Sequence, residues 1–274
     1  MRLKAFNNGY CKANKKYIDK KSKSQEVKFP ATFYFLEISG LKILLDAGYS
    51  TKIPKSKNII IKLYSKITKV NCIKDADEIL RENNIAPEEI NYIIISHFHP
   101  DHYGNLEKFK NAEIICSKNA FNLLSKSKFG KLKNLLFSEL IPENLENKIT
   151  LMESYNKTEL FHTAEQEKIE FFDILNLNEI YGFYLEGHAQ GHIGIYLKKL
   201  RKLIVFDAIW CKENLENAEP CKMLKKIVFS DEKEYYKSID KIKAILEKLN
   251  DTNDQEIELI ISHDGKYMRS PYVF

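Results

Sequence analysis

The sequence predicts an α/β chain with its elements in layers around two sheets. Strand-rich blocks alternate with helical ones along its length. Two short apolar runs, Tyr92-Ile93-Ile94-Ile95 and Glu258-Leu259-Ile260-Ile261, read as strands buried on both faces. A long amphipathic stretch from Asp231 to Leu249 gathers Tyr235, Ile239, Ile242, Ile245, Leu246 and Leu249 on one side.

The elements follow in order. Phe33–Ile38 and Leu41–Leu45 are β-rich runs joined at Ser39-Gly40, so residues 31–45 read as a hairpin. Asp75 or Asp77 caps a helix that fades at Asn83, before Pro87. The strand at Tyr92–Ile95 comes next, then a short one at Ala112–Cys116. A Lys- and Leu-rich helical stretch runs from about Asn119 to Leu136. Four short strands are expected at Ile169–Leu175, Glu179–Glu186, Ile193–Lys198 and Lys202–Phe206. The helix at 231–249 and the strand at 258–261 complete the series. No repeat or linker interrupts it.

Composition narrows the function. The chain has 274 residues, 43 basic against 38 acidic, for a net charge of +5. That balance is too mild to demand a nucleic-acid partner. No apolar run reaches the roughly 18–20 residues of a membrane span, and the first residues lack the apolar core of a signal peptide. A cytoplasmic protein with no membrane segment is the expectation. Five cysteines without a CxxC pair read as free thiols; Cys211 and Cys221 would pair only in an oxidising compartment. The lysines of residues 12–28 suggest an anion or RNA contact, but Asp19 and Glu26 dilute them and only Tyr17 could stack on a base. A solvated loop is the better reading.

The chemistry concentrates in Ser96-His97-Phe98-His99-Pro100-Asp101-His102-Tyr103-Gly104-Asn105. With 7 histidines in the whole chain, an HxHxDH array arises by chance on the order of 10⁻⁴ times. His97 and His99, two apart at a strand end, point the same way in extended backbone and can reach one ion. Asp101 and His102 lie past the turn and can serve a second. Imidazole with carboxylate suits zinc, and also iron or manganese. The absence of a thiolate argues against a closed structural zinc site.

His97-Phe98-His99-Pro100-Asp101-His102 resembles the signature of the metallo-β-lactamase superfamily, and further blocks resemble that family in the right order. They are Leu45-Asp46-Ala47-Gly48, Gly187-His188-Ala189-Gln190-Gly191-His192, Phe206-Asp207-Ala208 and Ser262-His263-Asp264. The resemblance implies a four-layer αβ/βα sandwich with two metals at the sheet edges. It implies a single domain over 1–274, with a helical insertion at about 118–147 that could serve as a lid, a dimer surface or plain packing. His97, His99 and His188 would hold the first metal, and Asp101, His102 and His263 the second, with Asp207 bridging. Asp46 and His192 would support the ligands from behind. His162 has no motif around it and reads as a surface residue.

The resemblance further implies a metal-dependent hydrolase. Two divalent metals, zinc first, would polarise a substrate oxygen and generate a hydroxide nucleophile, with Asp101 as the proton-handling catalytic residue. The spacing is most similar to that of the quorum-quenching lactonases and related small hydrolases, which implies a small ester, lactone or thioester as substrate. A phosphodiesterase or nuclease, or an iron-dependent sulfur dioxygenase, is the alternative. Lactonases of that group often carry a tyrosine where this chain has Trp210; indole cannot give up a proton. Tyr103 and Trp210 are the candidates for the substrate pocket. The 86 residues from His102 to His188 exceed the usual gap. The expected partner is a small molecule, with no membrane, nucleic acid disfavoured and a homodimer left open.

Overall fold

A computed structural model describes residues 1–161, 169–251 and 255–274. The first sheet takes β1 (Arg2–Asn14), β2 (Glu26–Ile38), β3 (Leu41–Leu45), β4 (Asn71–Cys72), β5 (Tyr92–Ile94), β6 (Glu113–Cys116) and β7 (Ile149–Leu151). The second takes β8 (Lys157–Thr158), β9 (Phe171–Asp173), β10 (Ile180–Tyr184), β11 (Ile193–Leu197), β12 (Lys202–Phe206) and β13 (Glu258–Ile261). A last strand, β14 (Tyr272–Val273), returns to the first sheet. The orders are β14-β1-β2-β3-β5-β6-β7, with β4 beside β1, and β13-β12-β11-β10-β9-β8.

The hairpin of residues 31–45 forms as expected. Ser39 and Gly40 both adopt positive φ, 50° and 80°, the geometry that matches the twist of a two-residue turn. Helix α1 spans Ile59–Ile67 and α2 spans Ala76–Glu82. Asp75 is the α2 N-cap, and its N–H donates to the Glu78 carboxylate at 2.8 Å. A single turn, α3 (Pro100–Tyr103), carries Asp101 and His102 of the histidine array. Two short helices, α4 (Lys118–Phe121) and α5 (Lys128–Lys133), lie in the 118–147 region; α6 (Lys222–Val228) and α7 (Glu232–Asp251) follow the second sheet.

Burial defines the layers. Leu36, Ile43, Leu45 and Ile94 of the first sheet meet Ile195, Ile204, Phe206 and Ile260 of the second in one apolar cluster. The outer face of the first sheet packs Phe33, Leu44 and Ile93 against Ile61 and Leu80 of α1 and α2. The outer face of the second packs Phe183, Tyr196 and Val205 against Tyr235, Ile242 and Ile245 of α7. The result is the expected helix–sheet–sheet–helix sandwich.

One expectation changes, and for another region one of the alternatives gains support. Residues 12–28 are not one loop: β1 runs through Asn14 and β2 begins at Glu26, so the lysines sit at the far end of a long hairpin. In the 118–147 region, Leu123, Leu124, Leu136 and Phe137 are buried in the outer cluster of the first sheet, as the packing alternative expects, while Phe129 is exposed. The five cysteines are all free. His162 lies outside the described residues.

Candidate active site

The array of histidines and aspartates converges where strands end. Asp46 follows β3, His97 and His99 follow β5, and His188 follows β10; Asp207 and His263 follow β12 and β13. Ligand sites in α/β sheets form at such carboxyl ends, where successive loops can meet. All seven candidate ligands are buried, the most exposed being His263 at 8%.

Two clusters result. One ligand-type atom from each of His97, His99 and His188 lies within 4.8 Å of the others, and the same holds for Asp101, His102, Asp207 and His263. The clusters touch through Asp207. Its Oδ2 stands 2.8 Å from His263 Nε2, 3.4 Å from His102 Nε2 and 3.6 Å from His188 Nε2. His99 Nδ1 and His188 Nε2 are 3.0 Å apart.

The residues fit cations. His97 Nε2, His102 Nε2, His188 Nδ1 and Asp207 Oδ1 are buried without a hydrogen-bond partner, which is costly for polar atoms that nothing else satisfies. Nitrogen and carboxylate oxygen with no thiolate among them form a donor set for a divalent metal that must keep a position open.

Neighbouring groups aim the imidazoles. Asp46 is fully buried; its carboxylate accepts from Ser96 N and Ser96 Oγ, both at 2.8 Å, and pairs with His102 Nδ1 at 2.7 Å. Ser96 Oγ also reaches His97 Nδ1 at 3.0 Å, so one carboxylate braces both clusters. His263 Nδ1 donates to the Pro30 carbonyl at 2.9 Å, which turns Nε2 inward. Asp207 N donates to His192 Nε2 at 3.3 Å, so His192 holds the backbone of Asp207.

The backbone is strained at the same places. Asp46 and Phe206 adopt φ of 61° and 48°. Such a conformation suits an aspartate but is rare for a bulky residue, and costs on the order of 1–3 kcal/mol. Gly187, at φ 114°, lies against α7: a Cβ there would stand 2.0 Å from Tyr235 N. Gly191, at φ 75°, is equally close to Ala120 N, at 2.1 Å. No side chain fits at either, and these contacts fix the loop that carries His188 and His192.

Electrostatics divide the clusters. Burial, and then the neighbouring imidazoles, push His97 well below the usual histidine range; burial likewise lowers His188 and brings His99 down to about 3. His192 also falls to about 3, chiefly through burial. Burial opposes charge on His102 and His263 too, but the carboxylates beside them, Asp207 above all, hold both above their ordinary value. The same pairing holds Asp207 well below the usual carboxylate range despite its burial.

A cavity of about 230 Å³ opens over the site. His99, Asp101, His188, Asp207 and His263 contribute to its floor, and Phe29, Leu224, Val228 and Trp210 to its apolar walls. Trp210 stands edge-on to His188, with ring centroids 5.4 Å apart. Tyr103 does not reach the cavity. It is fully buried, and its hydroxyl accepts from Phe137 N at 2.7 Å, so it ties the 118–147 region to the array. Tyr49 and Tyr64, which no motif marked, do line the cavity, with hydroxyls 3.3 Å apart. Burial and then the Asp101 carboxylate keep both phenols protonated far above neutral pH.

A two-sheet sandwich with a buried His/Asp site between strand ends defines a class, and comparison with known proteins names it. The family model described as the metallo-beta-lactamase superfamily matches residues 28–249. The chain belongs to that superfamily and is a metal-dependent hydrolase. It is similar to an N-acyl homoserine lactonase of Bacillus cereus, 24% identical over 197 residues that make up 70% of this chain and 68% of the relative. Among solved structures it is similar to an N-acyl homoserine lactone hydrolase with the product N-hexanoyl-L-homoserine bound at the catalytic metal centre. That likeness has 19% identity and a TM-score of 0.70, over 100% of this chain and 97% of that one. A dizinc quorum-quenching lactonase is similar at 15% identity and TM-score 0.62, over 95% and 86% of the two chains. At these identities the solved structures attest the fold.

Proposed function

We propose that the chain is a dinuclear hydrolase of lactones or of similarly small carboxylic esters and thioesters. The observation that carries this reading is the junction of the two clusters at Asp207, beneath a cavity with apolar walls. The naming of the curated relatives as N-acyl homoserine lactonases supports the lactone class. His97, His99 and His188 would hold one divalent metal; Asp101, His102 and His263 would hold the other, and Asp207 would reach both. When bound, such metals supply Lewis acidity and lower the pKa of water towards neutrality.

The chain's own residues supply the rest. Asp101, at the cavity floor, accepts a proton from water and returns it to the departing alkoxide or thiolate. Asp46 holds His102 and Ser96 so that the array stays aimed. Trp210 forms a wall that excludes water and can donate one hydrogen bond without giving up its proton. The hydroxyls of Tyr49 and Tyr64, 3.3 Å apart and held protonated, offer a further hydrogen-bond donor to a substrate oxygen.

The test is a substrate panel on protein whose metal content has been measured. It compares N-acyl homoserine lactones of graded chain length, aryl esters, thioesters and bis-p-nitrophenyl phosphate. Ring opening of a lactone, or cleavage of an ester or thioester, should vanish on chelation and return with metal. Turnover confined to the phosphodiester would replace this reading.

A further inference from the structure

The surface around the cavity mouth has a character that hydrolysis does not require. Helix α1 leaves Ile59, Leu63 and Ile67 exposed at 80%, 56% and 69%. They recur every four residues and so form one stripe along the helix. Helix α6 repeats the pattern with Met223 and Ile227, at 49% and 59%. Phe129 of α5, 67% exposed, shares a groove with Ile60 of α1. Ile67, Met223, Ile227 and Tyr17 line the cavity itself, so the exposed stripes converge on its opening. Contiguous apolar surface of this kind marks a contact site rather than ordinary protein surface.

Lysine outnumbers acid around these stripes, although Glu139 lines the groove of Ile60 and Phe129, Lys69 pairs with Glu26, and Lys225 pairs with Glu219 and Glu232. From Pro54 to Val70 the sequence holds five lysines and no acidic residue. Helix α6, Lys222–Val228, holds three lysines and none. At the tip of the β1–β2 hairpin, Lys15 and Lys16 are exposed beside Tyr17. These are the lysines that sequence reading assigned to solvent.

We infer that this rim docks on an anionic lipid surface, with the cavity mouth facing the bilayer. Exposed isoleucine and leucine flanked by lysine is the pattern of a helix that lies in a membrane interface: the apolar stripe enters the acyl boundary and the ammonium groups meet lipid phosphates. The same surface suits other partners less well. A second copy of the chain would set one lysine-rich face against another. A polynucleotide would satisfy the lysines but leave the aliphatic stripe without a partner, since single-strand binding relies on aromatic stacking. No helix among the described residues is long and apolar enough to cross a membrane, and docking needs none.

The experiment is co-sedimentation of the metal-loaded full chain with vesicles, read without any substrate and so independent of the hydrolase reading. Vesicles of phosphatidylglycerol mixed with phosphatidylcholine should carry the protein down at low salt. Pure phosphatidylcholine, or high salt, should weaken the partition about tenfold or more. The double variant Ile59→Ser/Leu63→Ser should lose binding by a similar factor, as should Lys62→Glu/Lys66→Glu. Their melting temperatures and metal content should match those of the parent, since all four side chains are exposed and lie outside the cavity. Failure to sediment with anionic vesicles at low salt would overturn the proposal, and so would undiminished binding by the Ile/Leu variant. A dimer in sedimentation equilibrium that this variant turns into a monomer would assign the stripe to a second copy instead. Retention on poly(U) that the variant abolishes, with no vesicle binding, would assign the face to RNA.

Discussion

The three-imidazole cluster and the carboxylate-rich cluster share a wall, yet their surroundings act on them in opposite directions. Burial leaves His97, His99 and His188 neutral, with lone pairs free to bind a cation. Asp207 foremost, and then Asp101, instead favours the protonated forms of His102 and His263 against their burial. The first cluster is a preformed nitrogen site. A metal entering the second would compete with those protons, so its affinity there is expected to depend more steeply on pH. Having no thiolate, both avoid the closed chemistry of a structural zinc site.

The largest expected effect comes where the comparison collapses. Asp207→Ala removes the residue that joins the clusters, and should lower lactone or ester hydrolysis by more than about a hundredfold, since even outer supports of metal ligands are worth 10–100-fold. Metal analysis should fall below two ions per chain; an unchanged count with unchanged rate would remove Asp207 from the centre.

Asp46→Ala should be milder and lopsided. Asp46 binds His102 directly but reaches His97 only through Ser96. Activity should fall roughly 10–100-fold, with metal lost from the carboxylate-rich side first. Cobalt substitution followed spectroscopically would separate the two sides; equal loss from both would mean that Asp46 braces them equally.

Gly187→Ala strains the other side. The added Cβ meets the α7 backbone, and the positive φ disfavours it independently. The variant should lose on the order of 1–3 kcal/mol of stability, and at this size each kcal/mol lowers the melting temperature by roughly 2–4 °C. Retained stability would show that α7 can yield by more than an ångström.

The smallest effect is also the most diagnostic. In chelated protein, an unfolded chain takes up protons near pH 6.5 that buried His97, His99 and His188 refuse, so these residues make stability fall as pH drops below about 6.5. His102 and His263 do the reverse. Their contribution is complete below about pH 6.5 and is lost as pH rises through their higher folded-state values. Melting temperature plotted against pH should therefore have two limbs. His188→Asn should flatten the acidic limb and His263→Asn the alkaline one. If either variant flattened the opposite limb, the assignment of charge to the clusters would be reversed.

Much of this was legible in the sequence, for reasons that differ by element. The array from Ser96 to Asn105 announces itself because its chemistry is local and rare. The central strands do so because strands covered on both faces must be apolar throughout, as Ile93, Ile94 and Ile260 are. Strand β1 was not legible: Asn7, Asn8, Gly9 and Lys12 break its alternation, and it gains its place by pairing with β2. Pro30, which argues against a strand interior, sits in β2 opposite Tyr10, just past an irregularity in the register, and its carbonyl meets His263. Tyr103 looked available because it adjoins the ligands in sequence, but its turn of helix aims it into the core. Tyr49 and Tyr64 were invisible for the opposite reason, since only the fold brings a loop after β3 and the face of α1 to the same cavity.

The bond from His263 to the carbonyl of Pro30 has a consequence for the order of assembly during synthesis. The three-imidazole group is complete in the nascent chain once His188 has emerged. The other group waits for His263, 75 residues later, which at 5–20 residues per second is roughly 4–15 s. Throughout that interval β2 presents its Pro30 carbonyl without the imidazole that will meet it. A growing chain thus holds every residue of one half of its centre several seconds before the last residue of the other half has been made.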